Sequence, residues 1–313
     1  MEQAILSDAL RLPGIVFASR LLYLSRPYCI PVATPLMEIQ LMKPLFAALA
    51  CIILLTACAT NPVTGRKQFI IVPESEAIAA SKEAYVEMLS PLEKEGKIDT
   101  NPALKARLDK ITGRLVAQAI RFRPETAKWE WQVKIIDDPK TVNAFCMAGG
   151  RMAVYTGLID QVKPTDDELA EVMGHEIAHA LSNHTAEKMS VAMASDLAVT
   201  AVAVSQHQSS LALTGTALAA AIAIKLPNSR QAESEADRIG IELAARAGYD
   251  PHAAVTLWQK MEKVAGGGRI DFLSTHPAPE KRMETLNGLV PQMMPYYEQK
   301  GERPSYKLKD EGL

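Results

Sequence analysis

Residues 167–184 read DELAEVMGHEIAHALSNH, and no other stretch constrains the fold as tightly. His175 and His179 are four apart, so on a helix they stand one turn apart on one face. Two imidazoles in that relation can bind one metal ion, and Glu176 can reach water on the ion's open side. Ile177, Ala178, Ala180 and Leu181 suit a helix buried in a core. A surface helix with two histidines and an ordinary glutamate reads the same in isolation, so the pattern must be completed elsewhere in the chain.

A catalytic zinc takes three protein ligands and keeps one position open for water. Completion as HExxHxxGxxH is excluded, because position 182 is Ser and position 185 is Thr. The segment Ser229–Asp237, SRQAESEAD, offers carboxylates instead, with Glu233 and Asp237 again one helical turn apart. One carboxylate can bind the metal while the other accepts an N–H from a ligating imidazole and fixes its tautomer. The competing reading of this segment is a solvated acidic helix face.

HEIAH, the SRxxExxAD segment at 229–237, the NAF-to-YTG hairpin at 143–157 and Ser274-Thr275-His276-Pro277 together resemble the HtpX/LoiP/BepA-type gluzincins, relatives of the CAAX prenyl endoproteases. The resemblance covers about Cys58 to Leu289. It implies one zinc ion per chain, held by His175, His179 and Glu233, with Glu235 not a ligand and Asp237 behind His175. It also places His276 beside the zinc, either as a donor to the developing oxyanion or, in a latent state, in the open position. The implied activity is a zinc-dependent endopeptidase with Glu176 as general base, acting on unfolded or misassembled envelope proteins. A non-proteolytic assembly factor or chaperone built on the same zinc-stabilised domain is the alternative.

Two further roles follow from the residues. Arg282 can anchor the His276 segment by a charge-assisted hydrogen bond. The strands Asn143–Phe145 and Met152–Tyr155 can offer an edge to extended substrate, which makes Asn143, Ala144 and Phe145 candidate substrate-binding residues. A purely structural hairpin is the competing reading. His184, His207 and His252 receive no role; His184, five after His179, falls well round the helix.

From Met42 the chain reads MKPLFAALACIILLTAC: a single Lys43, an apolar run from Leu45 to Leu55, then small residues. That is the grammar of a bacterial export signal, too short for comfortable spanning of a bilayer. Leu55-Thr56-Ala57-Cys58 resembles a lipobox, in which the cysteine is acylated and anchored in a lipid bilayer. Ala59 in place of Asp after the cysteine resembles the outer-membrane sorting pattern. The expectation is an outer-membrane lipoprotein of the cell envelope facing the periplasm, with outer-membrane assembly machinery as a candidate partner. About forty residues precede the signal, so residues 1–41 are expected to be a non-native or unstructured extension, with initiation at Met37 or Met42. Of Cys29, Cys51, Cys58 and Cys146, only the last two would remain, and no structural disulfide is expected.

A net charge of −2 and 5% aromatic residues argue against nucleic acid as a partner. Helical spacing appears over Glu74–Leu89 and, from Asn101-Pro102, at Leu104, Leu108, Ile111, Leu115 and Ile120. Trp131, Val133 and Ile135 alternate with polar neighbours and predict a half-buried strand; 142–147 and 151–156 predict a hairpin about Gly149-Gly150. Helices are expected over 167–184, 192–226 (a buried or lid-forming hairpin), 232–247, 251–264 and 278–289. The fold class is α+β, mainly helical and zincin-like, with a small sheet including a β-hairpin beside the active site. The expected divisions are 1–41, the signal 42–57, a tether and helical segment 58–100, the metallopeptidase domain 101–290 and a tail 291–313.

Overall fold

The computed structural model describes residues 58–205, 226–266, 270–278, 281–309 and 312, all within the unit Ile52–Leu313. The signal, the extension before it and residues 206–225 of the expected lid hairpin lie outside the described residues. The described chain is mainly helical with two small sheets.

Helix α1 spans Glu74–Lys94 and continues through Pro91, past the Leu89 end that the spacing predicts. Helix α2 spans Pro102–Phe122. Asn101 caps it, accepting from the N–H groups of Ala103 and Leu104 at 3.1 and 3.0 Å, and Pro102 occupies the first turn, where no intrahelical N–H is needed. Its apolar stripe, including Leu108, Ile111 and Leu115, is buried.

Strands β1 (Cys58–Thr60) and β2 (Lys67–Phe69) form an antiparallel hairpin where an extended tether was expected. Strands β3 (Gln132–Ile136), β4 (Ala144–Cys146) and β5 (Arg151–Tyr155) form a second sheet in the order β3-β5-β4. The β4–β5 turn uses Gly149 and Gly150 at φ +87° and +85°, conformations that side chains resist. β3 runs parallel to β5 and is buried at all five residues rather than half-buried. Its polar alternates share a face with Ile136, which packs on Tyr85 and Leu89 of α1, while the connection before α2 closes its edge: Asp99 accepts from the Ile135 N–H at 2.8 Å and pairs with Lys134 at 3.2 Å.

Helix α3 spans Asp166–Leu181 and opens on a capping box, with Thr165 and Glu168 exchanging side-chain-to-backbone bonds at 3.2 and 2.9 Å. It ends at Leu181, short of His184. Asn183 adopts the left-handed conformation at φ +56°, reversing the chain into α4, His184–Ser205. Helices α5 (Arg230–Ala247, capped by Ser229), α6 (Ala253–Ala265), α7 (Asp271–Thr275) and α8 (Arg282–Tyr297) complete the set. α8 starts and ends later than the 278–289 expected, continuing through Pro291 and Pro295. Among the described residues no helix is long and apolar enough to cross a membrane.

The core is built around α3, whose residues from Glu168 to Leu181 are all buried. It packs closely on α5: a Cβ added at Gly174 would lie 2.9 Å from the Gly240 carbonyl oxygen, and one at Gly240 would lie 2.8 Å from the His175 nitrogen. Two facing glycines thus let the backbones touch where α3 and α5 carry their functional side chains.

Candidate metal centre

The close approach of α3 and α5 brings His175 and His179 against Glu233, in the first turn of α5. His276, just past the end of α7, joins them, and all four are buried. His175 Nε2 lies 3.1 Å from His179 Nε2 and 3.3 Å from Glu233 Oε2. Glu233 Oε1 lies 3.2 Å from His179 Nε2 and 3.0 Å from His276 Nδ1, and His276 Nδ1 lies 3.2 Å from His175 Nε2. Ligands at about 2.0–2.1 Å from a tetrahedral zinc are separated from one another by about 3.3 Å. The five measured separations match that edge length, and a set of imidazoles with one carboxylate suits zinc chemically. The residues therefore fit the metal that the sequence implies.

Electrostatics point the same way. Burial opposes charge on His175, but Glu233 and Asp237 outweigh it and push its pKa up to about 10. Burial takes His179 well below the usual histidine range. Burial pushes Glu233 upward, yet the facing His276 and His175 hold it well below the ordinary carboxylate range. The cluster thus draws one positive charge to the point where its donors converge, and a divalent cation there would compete with the proton.

Behind the cluster, Asp237 Oδ1 lies 3.1 Å from His175 Nδ1, close enough for a charge contact though not aligned as a good hydrogen bond. Among the described residues Arg282 makes its charge-assisted bonds to α5 and not to the His276 loop. Its guanidinium donates to Glu233 Oε2 at 2.7 Å and to both Asp237 oxygens at 2.7 and 3.1 Å, while lying over the Trp258 ring. Two buried carboxylates four apart on α5 are strong acceptors for a guanidinium fork. Phe272 stacks on His276 with ring centroids 4.4 Å apart, and its N–H donates to the Val142 carbonyl, tying His276 to the β4 edge.

Glu176 faces the other side. A cavity of about 20 Å³, room for one water, is lined by Glu176, His179, His276, Asn143, Ala144 and Phe145. Glu176 Oε1 has no hydrogen-bond partner and lies 3.4 Å from His276 Nε2, and burial raises its carboxyl above the ordinary range. β4 is an edge of its sheet, and its register with β5 turns the Ala144 and Cys146 backbone groups toward the open side. The Ala144 N–H is already taken by the Asn143 side chain at 2.9 Å.

Two contributors carry no motif. Asn228 donates to Glu233 Oε1 at 2.8 Å, its own N–H held by the Thr275 carbonyl. His184 Nδ1 lies 2.8 Å from His179 Nδ1, and His184 Nε2 lies 2.9 Å from Glu235 Oε2. The turn at Ser182-Asn183 is the signal that would have found His184, because it ends the helix on which a spacing of five points away. His252, by contrast, is exposed and pairs with Asp250 at 2.8 Å, and His207 lies outside the described residues.

Three imidazoles and a carboxylate converge in a buried pocket with Glu176 beside them, an arrangement that suits a metallopeptidase. Comparison with known proteins agrees: the profile of peptidase family M48 matches residues 102–290. The chain belongs to that family. It is 39% identical to the mitochondrial metalloendopeptidase OMA1 of Arabidopsis thaliana over 157 residues, 50% of this chain and 31% of that protein. Identity to the mitochondrial metalloendopeptidase OMA1 of Schizosaccharomyces pombe is 31% over 235 residues, 74% of this chain and 66% of that protein. The beta-barrel assembly-enhancing protease of Escherichia coli is 30% identical over 212 residues, 64% of this chain and 42% of that protein. The chain thus spans less than two thirds of the length of each of these three relatives. The outer-membrane, periplasm-facing location expected from the lipobox is overturned: relatives from plant, yeasts and animals are named as mitochondrial enzymes, and that location is withdrawn.

Proposed function

We propose that this metalloendopeptidase is zinc-dependent, zincin-like in its catalytic domain, and hydrolyses peptide bonds in unfolded or misassembled proteins. His175, His179 and Glu233 hold the ion, and Glu176 is the general base. The observation that carries the reading is the set of donor separations of 3.0–3.3 Å, which suits a single tetrahedral ion. The printed name of the Escherichia coli relative, a beta-barrel assembly-enhancing protease, supports unassembled beta-barrel proteins as one substrate class.

A zinc ion held by these donors would supply Lewis acidity and a water of lowered pKa. Glu176 takes a proton from the attacking water at its free Oε1 and delivers it to the leaving amine nitrogen. Extended substrate adds to the β4 edge beside Asn143, Ala144 and Phe145, where main-chain pairing reads backbone rather than sequence. Arg282 and Asn228 hold the Glu233 carboxylate in one orientation. His276 completes a four-donor set in the resting arrangement, so turnover requires its imidazole to swing out and leave room for substrate, after which its N–H can face the oxyanion. Membrane attachment through acylated Cys58 belongs to the same proposal; labelled palmitate incorporated into wild type but not into Cys58→Ala supports it, and equal labelling refutes it.

The test is Glu176→Gln. Metal content should stay at one zinc per chain while cleavage of unfolded casein falls by a factor of about 10²–10⁴. Unchanged cleavage would remove Glu176 from the mechanism. An assembly-promoting activity that survives this substitution intact would favour the non-proteolytic alternative.

A further inference from the structure

The corner between α3 and α4 carries a second polar network that peptide hydrolysis does not use directly. His184 is buried, and its Nδ1 sits 2.8 Å from His179 Nδ1, on the opposite side of that ring from the nitrogen facing Glu233 and His175. It therefore cannot share the ion. Its other nitrogen reaches Glu235 Oε2 at 2.9 Å. Glu235 in turn accepts from Arg66 Nε at 2.6 Å and from Asn61 Nδ2 at 3.2 Å, both from the β1–β2 hairpin. The same hairpin grips the corner itself. Asn61 and Gln68 donate to the Ser182 carbonyl at 3.3 and 2.8 Å, and Arg66 binds Glu187 through both terminal nitrogens at 2.8 and 2.7 Å.

We propose that His184 is a positioning residue for the metal-facing imidazole of His179, and that Glu235 and the N-terminal hairpin complete that support from outside the site. The inference rests on the reading of the cluster as a metal centre. Donor order enforces a single arrangement. If His179 Nε2 keeps its lone pair for the ion, Nδ1 carries the proton and donates to His184 Nδ1. His184 must then carry its own proton on Nε2, which donates to Glu235, a carboxylate already held by a guanidinium. Each link fixes the tautomer of the one before it, as a carboxylate behind a ligating histidine does directly. His175 has Asp237 in that place, whereas His179 has no acid of its own and reaches one through His184. The arrangement also explains why so many side chains of residues 61–68 converge on one helix corner: the segment just after Cys58 acts as a brace for the metal centre.

The experiment uses the full chain, titrated with cobalt(II) by visible absorption and with zinc against a competing chelator. His184→Leu should bind both metals about 10–100-fold more weakly and alter the cobalt spectrum. His184→Gln, whose amide can accept from His179 and donate to Glu235, should recover most of the affinity, which a purely structural role for a histidine ring would not give. Arg66→Met and Glu235→Leu, remote from the ion, should weaken binding in the same direction, and they decide the matter if His184→Leu fails to fold. Wild-type affinity and spectrum in Arg66→Met and Glu235→Leu, and in His184→Leu where it folds, would overturn the proposal. Failure of the wild type itself to bind either metal would instead remove the metal centre, a result separable from failure of the brace.

Discussion

Replacing Gly240 by Ala tests whether the site depends on the helices touching. A Cβ there would stand 2.8 Å from the His175 nitrogen, 3.0 Å from its Cα and 3.1 Å from the Gly174 carbonyl carbon. All three are backbone atoms of α3, so no side chain can swing aside. Reaching ordinary contact near 3.4 Å requires α3 and α5 to part by about 0.6 Å at that point. Overpacking of this kind costs about 1–3 kcal/mol, of which the better helix propensity of Ala returns about 1 kcal/mol. Net destabilisation is thus modest, about 0–2 kcal/mol. The site is less forgiving, because metal–ligand distances tolerate only about 0.2 Å. Gly240→Ala should therefore remain folded in urea titration yet lose about tenfold or more in zinc affinity, with casein cleavage falling alongside. Gly288→Ala on α8, with nothing within 4 Å of the new methyl, is the control and should gain about 0.5–1 kcal/mol with unchanged metal binding. Wild-type zinc affinity in Gly240→Ala would refute the reasoning.

Other outcomes follow from buried charge. Arg282→Leu leaves Glu233 and Asp237 buried without their shared cation and should cost about 3–5 kcal/mol in urea unfolding; Arg282→Lys should recover only part, lacking the two-sided fork. Glu171, buried one turn before His175 with one oxygen unpartnered, is raised well above the ordinary glutamate range by burial and by nearby Asp237. The folded state then binds the extra proton, so this group makes stability fall as pH rises from the unfolded glutamate pKa toward the folded one. Glu171→Gln should remove that fall and leave the protein more stable than wild type at pH 8, read by thermal unfolding at pH 5 and pH 8.

Local signals carried much of this fold. Asn101-Pro102 marks the start of α2, and Gly149-Gly150 marks the turn that puts β4 at a sheet edge, because each rests on chemistry within a few residues. The four-residue spacings of His175 with His179 and of Glu233 with Asp237 were legible for the same reason. What was hidden depends on where the chain goes after a helix ends. His184 looks remote from His179 only while α3 is assumed to continue, and the left-handed Asn183 changes that. Arg282 was assigned to the nearer His276 segment, whereas tertiary packing hands it two carboxylates from α5. β3 alternates in sequence yet is buried on both faces, since periodicity cannot reveal that α1 covers its polar side.

The central claim is that one divalent ion sits where α3 and α5 meet. Anomalous diffraction at the zinc edge from crystals of the purified protein measures this most directly. One peak is expected, about 2.0–2.2 Å from Nε2 of His175, Nε2 of His179 and a Glu233 oxygen. A map without a peak there, or with the Glu233 carboxylate turned away from both imidazoles, would contradict the account.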